Sequence, residues 1–227
     1  MSENLIDDFY LFNSLDKSGR VKFICEKIKS LGLIPELQYF HSCFGEGCNV
    51  VVNMGESHSK TIITAHYDGE SFFDNTGGVF TLFYLVLLCK QIKSKAFTIL
   101  FTDQEETFQQ GAFHYIKQSI FDFSTKNINV DGFGIGDEVF NMKHLQSNSS
   151  NQEKYVTDSD VFLKAGYKST SYFSSFRKDY NQVVLENKSI KSIYSKYIDE
   201  SFFLLNFNEA IFINNINRLW NIIHEFW

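Results

Sequence analysis

Apolar and polar positions along the chain fall into two periods. Residues 2–13 and 18–31 repeat apolar side chains at helical spacing, the second with Val21, Ile24, Cys25 and Ile28 on one face, and Gly32 suits a left-handed helix end. Residues 36–42 and 49–53 read as two strands around a Gly45/Gly47 turn, an antiparallel hairpin. The β-branched run from Thr61 to Thr64 predicts a buried strand, and 96–102 (AFTILFT) and 127–133 (NINVDGF) predict two more. Between them, 79–93 and 109–120 read as helices, the second with Gly111 near its start. Residues 138–142 read as a neighbouring strand, 144–154 as a polar loop, 158–165 as a short helix capped by Asp158 and closed by Gly166, and 169–173 as a strand. Residues 208–226 predict a closing amphipathic helix with Ile211, Ile213, Ile216, Leu219, Trp220 and Ile223 as its apolar set. This order predicts an α/β sandwich with a mixed sheet, without internal repeat or linker.

Composition narrows the picture. With 227 residues, 44% hydrophobic and 21% charged, the chain suits one globular domain over 1–227. A net charge of −6 with interspersed signs and no basic stripe argues against nucleic acid as a partner. The longest apolar run, 79–89, falls short of the roughly 18 residues that cross a bilayer, so it reads as a buried helix and no membrane is expected. Cys25 and Cys89 sit in apolar helical patterns, while Cys43 and Cys48 flank a turn. Reduced thiols and the lack of a charged-then-apolar leader lead to an expected cytoplasmic location.

The stretch TIITAHYDGESFFDNTGG concentrates the chemistry. Side chains alternate along a strand, so His66 and Asp68 point the same way where the strand meets solvent. A carboxylate two residues from an imidazole can hold one ring N–H and leave the other nitrogen for a metal. Asp74 follows, just before a glycine-led helix start that favours an anion. The other two buried strands run into Glu105/Glu106 and Asp131. Sites gather at the carboxyl ends of strands in open α/β sheets, so these groups can converge. One imidazole among several carboxylates, with no thiolate, suits a catalytic zinc or a similar divalent ion. Of two adjacent glutamates, one can ligate the ion and the other take a proton from water.

The ordered series AHYD, DNTGG, FTDQEET followed by Gly111, INVDGFG and DSDVFLKAG resembles the co-catalytic zinc aminopeptidase family, relatives of glutamate carboxypeptidases and glutaminyl cyclases. The resemblance implies a phosphorylase/hydrolase-like three-layer α/β/α sandwich around a mixed sheet. By position it implies His66 and Asp131 on one metal, Asp74 bridging two, Asp68 behind His66, Glu105 as general base and Glu106 on the second metal. Asp158-Ser159-Asp160 with Phe162 matches a segment beside the site, with no specific role implied. The family's second metal also takes a histidine near the C-terminal end. Here that stretch is residues 193–199 (IYSKYID), with Tyr194 in the histidine's place. His114 and His224 read as structural, and His144 is the remaining substitute. The expected cofactor is therefore zinc, one or two ions, with the His66/Asp74/Asp131 subsite keeping its full set. The implied activity is metal-dependent cleavage of a peptide or small amide. A silent peptide-binding descendant and an aminoacyl cyclase stand as the alternatives.

Overall fold

The computed structural model describes residues 5–55, 61–92, 96–119, 124–142, 156–186 and 190–225. Two N-terminal helices, α1 (Leu5–Ser14) and α2 (Lys17–Ser30), precede the hairpin β1 (Glu36–Ser42) and β2 (Gly45–Met54). The strand β3 (Thr61–His66) then leads through a π-helical turn, Phe72–Thr76, into α3 (Gly77–Lys90). Next come β4 (Phe97–Thr102), α4 (Gln110–Gln118), β5 (Lys126–Val130) and β6 (Glu138–Asn141). The chain continues through α5 (Asp158–Lys164), β7 (Lys168–Ser175), α6 (Arg177–Glu186), α7 (Ile190–Tyr197), α8 (Glu200–Asn206) and α9 (Glu209–Glu225).

The seven strands form one mixed sheet in the order β1-β2-β4-β3-β5-β7-β6. The inner strands β4, β3, β5 and β7 run parallel, and antiparallel pairs close both edges. From β3 the chain crosses by α3 to β4 on one side, then by α4 to β5 on the other. The carboxyl end of β3 is thus the point where strand order reverses, the usual place for a ligand crevice in such sheets.

Strand alternation divides the core. One face of the sheet, with Val50, Val52, Ile63, Ala65, Ile99, Phe101, Ile128 and Val130, packs against α1, α2, α3 and α9 in a large aromatic core. The other face carries Val51, Ile62 and Leu100 against Ala112 and Tyr115 of α4 and Phe162 of α5. Helices on both faces make the expected three-layer α/β/α sandwich. The apolar stretch Phe72–Lys90, turn and α3 together, has 19 residues and is long and apolar enough to cross a membrane. Here it is a core element, with 78% of its apolar window buried inside the protein.

The structure departs from the sequence expectations in four places. β2 begins at Gly45, because Gly47 lacks a side chain and leaves room for the Phe40 ring across the hairpin. β5 stops at Val130, since Asp131 turns away into a loop through Gly132 at φ +72°. Thr157, not Asp158, caps α5, with Asp160 completing a capping box. The helices α6, α7 and α8 stand where the sequence pattern predicted no element. All four cysteines are free thiols, as expected. The predicted 144–154 loop lies outside the described residues.

Candidate metal centre

His66 is the last residue of β3, Glu105 and Glu106 follow β4, and Asp131 follows β5, so three neighbouring parallel strands release their side chains at one edge. The π turn brings in Asp74, whose backbone N–H donates to the Ser71 hydroxyl at 3.1 Å. Two groups of ligand atoms result, each with all members within 4.8 Å of one another: His66, Asp74 and Asp131, and His66, Glu105 and Glu106. The shared member is His66. Among the described residues Asp74, expected to bridge two ions, groups with His66 and Asp131.

Polar bookkeeping tests whether a cation fits. His66 Nε2 and one oxygen each of Asp68, Asp131 and Asp158 are buried without a hydrogen-bond partner. Such orphaned groups are rare in folded proteins and costly unless an ion or water meets them. On the other ring nitrogen, His66 Nδ1 lies 3.4 Å from Asp68 Oδ1 and 3.2 Å from Asn75 Nδ2. The Asn75 amide already donates to the Asp68 carbonyl, and its Oδ1 accepts from Ser71 N at 2.8 Å. A carboxylate at that distance favours a proton on Nδ1, which leaves Nε2, facing the acidic group, for a divalent metal to take. The donor set fits zinc.

The charges respond accordingly. Burial disfavours the imidazolium of His66, but Asp68, Glu105, Asp74 and Asp131 outweigh it and hold the group well above its usual range. Asp131 is pushed well up, by burial first and then by Asp74. Burial pushes Glu105 up to about 8, with His66 opposing and Asp158, Asp68 and Asp74 adding to the rise. Burial also works against ionised Asp68, yet His66 and the N–H groups of Glu105 and Glu106 keep its carboxyl below the ordinary range. The carboxylates surrounding Asp68 crowd each other, whereas the neighbouring imidazole and two backbone N–H groups hold Asp68 in its charged form.

Tyr194 stands where the sequence comparison expects the second metal's imidazole. It is buried on α7, packs edge-on against Phe73, and its hydroxyl donates to the Asp131 backbone carbonyl at 3.2 Å. One contact with the site thus runs through the main chain of Asp131. His114 stacks on Phe40 at 4.6 Å and His224 sits edge-on to Trp220 at 4.9 Å, so both have structural contacts. His144 lies outside the described residues.

Several supporting residues escaped the sequence reading. The Arg20 guanidinium is buried and donates to four backbone carbonyls: Tyr67 at 2.8 Å, Gly69, and Asn13 and Leu15 at 3.2 Å. Asn13 Nδ2 adds a bond to the Glu70 carbonyl at 2.8 Å. The corner between α1 and α2 thus grips the loop that carries Asp68. Nothing in a helical period distinguishes Arg20 from a solvated arginine. Beneath Asp131, an amide ladder crosses three strands: Thr64 donates to Asn129 Oδ1 at 2.8 Å, and Asn129 Nδ2 donates to Ser171 at 2.9 Å and Asp131 at 3.4 Å. Asp158 is fully buried, accepts from the Thr102 hydroxyl at 2.5 Å, and is pushed up to about 6 by burial against the pull of Thr102 and His66.

The sequence profile of peptidase family M28 matches residues 49–201. No curated protein sequence matches the chain. In structure it is similar to a glutaminyl cyclase from Porphyromonas gingivalis (TM-score 0.68, 11% identity, 92% of this chain and 95% of that one). It is also similar to a Zn-dependent exopeptidase from Parabacteroides distasonis (0.65, 13%, 91% of each chain). A third likeness is to the LapA aminopeptidase of Legionella pneumophila (0.60, 12%, 84% of this chain and 66% of that one). At such identities the likeness is one of fold.

Proposed function

The chain belongs to peptidase family M28, and from that premise we propose that it is a zinc-dependent hydrolase of aminopeptidase type that cleaves a peptide or small amide. The observation that carries the proposal is the meeting of His66 Nε2 and an Asp131 oxygen, both buried and unpartnered, with Asp74 at the end of the sheet. His66, Asp74 and Asp131 would hold one zinc, and Glu106 offers a carboxylate for a second. When bound, zinc supplies Lewis acidity and eases ionisation of a water.

The chain's own groups do the rest. Asp68 holds the His66 proton on Nδ1 and so keeps the ring in its ligating tautomer. Glu105, buried beside Glu106, accepts the proton of the attacking water and returns it to the leaving amine. Its surroundings favour the protonated acid, which suits the second half of that exchange.

The test combines metal analysis with turnover of aminoacyl-nitroanilides. One zinc per chain, cleavage, and loss of activity on Glu105→Gln by about 10²–10⁴ with metal retained is the expected result. Retained turnover in that variant removes Glu105 from its role. A zinc-free, inert protein overturns the proposal in favour of a peptide-binding descendant, the reading that Tyr194 motivates. A cyclase reading is favoured by the size match to the Porphyromonas enzyme, and conversion of N-terminal glutamine to pyroglutamate without amide cleavage would establish it.

A further inference from the structure

Glu105 and Glu106 also form one end of a groove of about 950 Å³ between α4 and α5. Its walls are apolar, from Phe108, Phe113, Ile116, Val156 and Val161, and its lining includes two lysines, Lys117 and Lys164, in the last turns of the two helices. The volume lies within the range of small-ligand sites, about 300–1,000 Å³.

The lip of this groove is costly to maintain without a purpose. Phe108 is 74% exposed and Phe113 51%, and Phe108 stacks on the exposed Phe44 of the β1–β2 turn at 5.6 Å. Gln104, Phe108 and Gln109 all have positive φ, at 56°, 65° and 53°. Each such non-glycine residue stores on the order of 1–3 kcal/mol, and strain of this kind concentrates where a loop must present side chains. The loop spends it to hold a phenylalanine outward beside the two glutamates.

We infer that this groove binds the portion of a short peptide that follows the scissile bond, with apolar side chains on Phe108 and Phe113 and a free C-terminal carboxylate at Lys117 and Lys164. The inference rests on the aminopeptidase reading of the adjoining metal centre. Charge sets the direction: the acidic end suits an ammonium and a metal, while the lysines suit an anion. Length sets the size. Lys117 stands in the last turn of α4, roughly 10 Å along the axis from Gln110 at 1.5 Å per residue. An extended peptide covers that in about three residues. With the residue before the scissile bond added, the favoured substrates are therefore tetrapeptides and close relatives, not protein N-termini.

Binding separates this inference from catalysis. Calorimetric titration of the Glu105→Gln protein with the tetrapeptide Leu-Phe-Ala-Ala and with its C-terminal amide should show the free acid binding about five- to tenfold tighter, the scale of two exposed ion pairs. Adding Lys117→Ala and Lys164→Ala should abolish that preference and leave affinity for the amide in place. Equal affinity for acid and amide, binding of neither, or a preference that survives removal of the lysines overturns the inference. Hydrolysis by the unsubstituted protein is scored separately. Lysine-dependent binding without cleavage retains the groove and sinks the hydrolase, whereas equal cleavage of acid and amide does the reverse.

Discussion

On the α3 face, the central strands present Ile63, Ala65, Ile99, Phe101, Ile128 and Val130 to a core crowded with phenylalanine. On the α4/α5 face, the same strands present Thr64, His66, Thr102, Asn127, Asn129 and Asp131, tied by side-chain hydrogen bonds. Phe80 of α3 alone meets the rings of Phe9, Phe12, Phe23 and Phe83. Successive residues of one strand thus serve two environments. The apolar face supplies the stability that lets the polar face keep buried carboxylates and orphaned ligand atoms, each a drain on a fold whose net stability is only about 5–15 kcal/mol.

The sharpest way to break this division is Phe80→Ala. It should cost about 3–5 kcal/mol in denaturant unfolding. Zinc bound per folded molecule should not change, and a loss of zinc at full folding would show that the faces are not separable. Asp158→Asn works in the opposite sense. The carboxyl titrates about two units higher in the folded protein than in a free aspartate, so in the zinc-free protein the folded state holds the proton longer as pH rises from about 4 to about 6. Stability therefore falls across that window, by on the order of 2–3 kcal/mol. Asparagine keeps an acceptor for Thr102 and removes the charge, so the variant's stability should be flatter between pH 4 and 6 and greater at neutral pH. An unchanged pH profile would show that Asp158 is not the group responsible. The smallest effect is expected from Arg20→Lys, which keeps the positive charge and loses the fork to four carbonyls. Zinc affinity, measured against a chelator, should weaken by about tenfold, the low end for residues that orient ligands from behind. A fall in melting temperature with zinc affinity intact would make Arg20 a purely structural residue.

The sequence was most legible where chemistry and periodicity coincide. His66, Glu105/Glu106 and Asp131 each end a β-branched or apolar run, so the strand pattern itself aims them at one edge. The grouping of ligands was less legible, because which carboxylate lies nearest His66 depends on the π turn at 72–76, a turn with no period to read. The asparagines of β5 form a ladder under Asp131 that is legible only once β3, β5 and β7 are known to be neighbours. The helices α6, α7 and α8 were missed because they are short, at 10, 8 and 7 residues, and offer only two or three turns of period to read.

Arg20 and Asn13 both precede residue 49, where the match to the family begins. A version of the protein cut to the matched span would retain each ligand named above. It would also expose the aromatic floor that Phe9 and Phe12 cover and leave the Tyr67–Glu70 turn unbraced. In this chain the smallest piece that carries the signature is therefore smaller than the smallest piece that can be expected to bind metal, and any search for its relatives by activity should begin from the longer one.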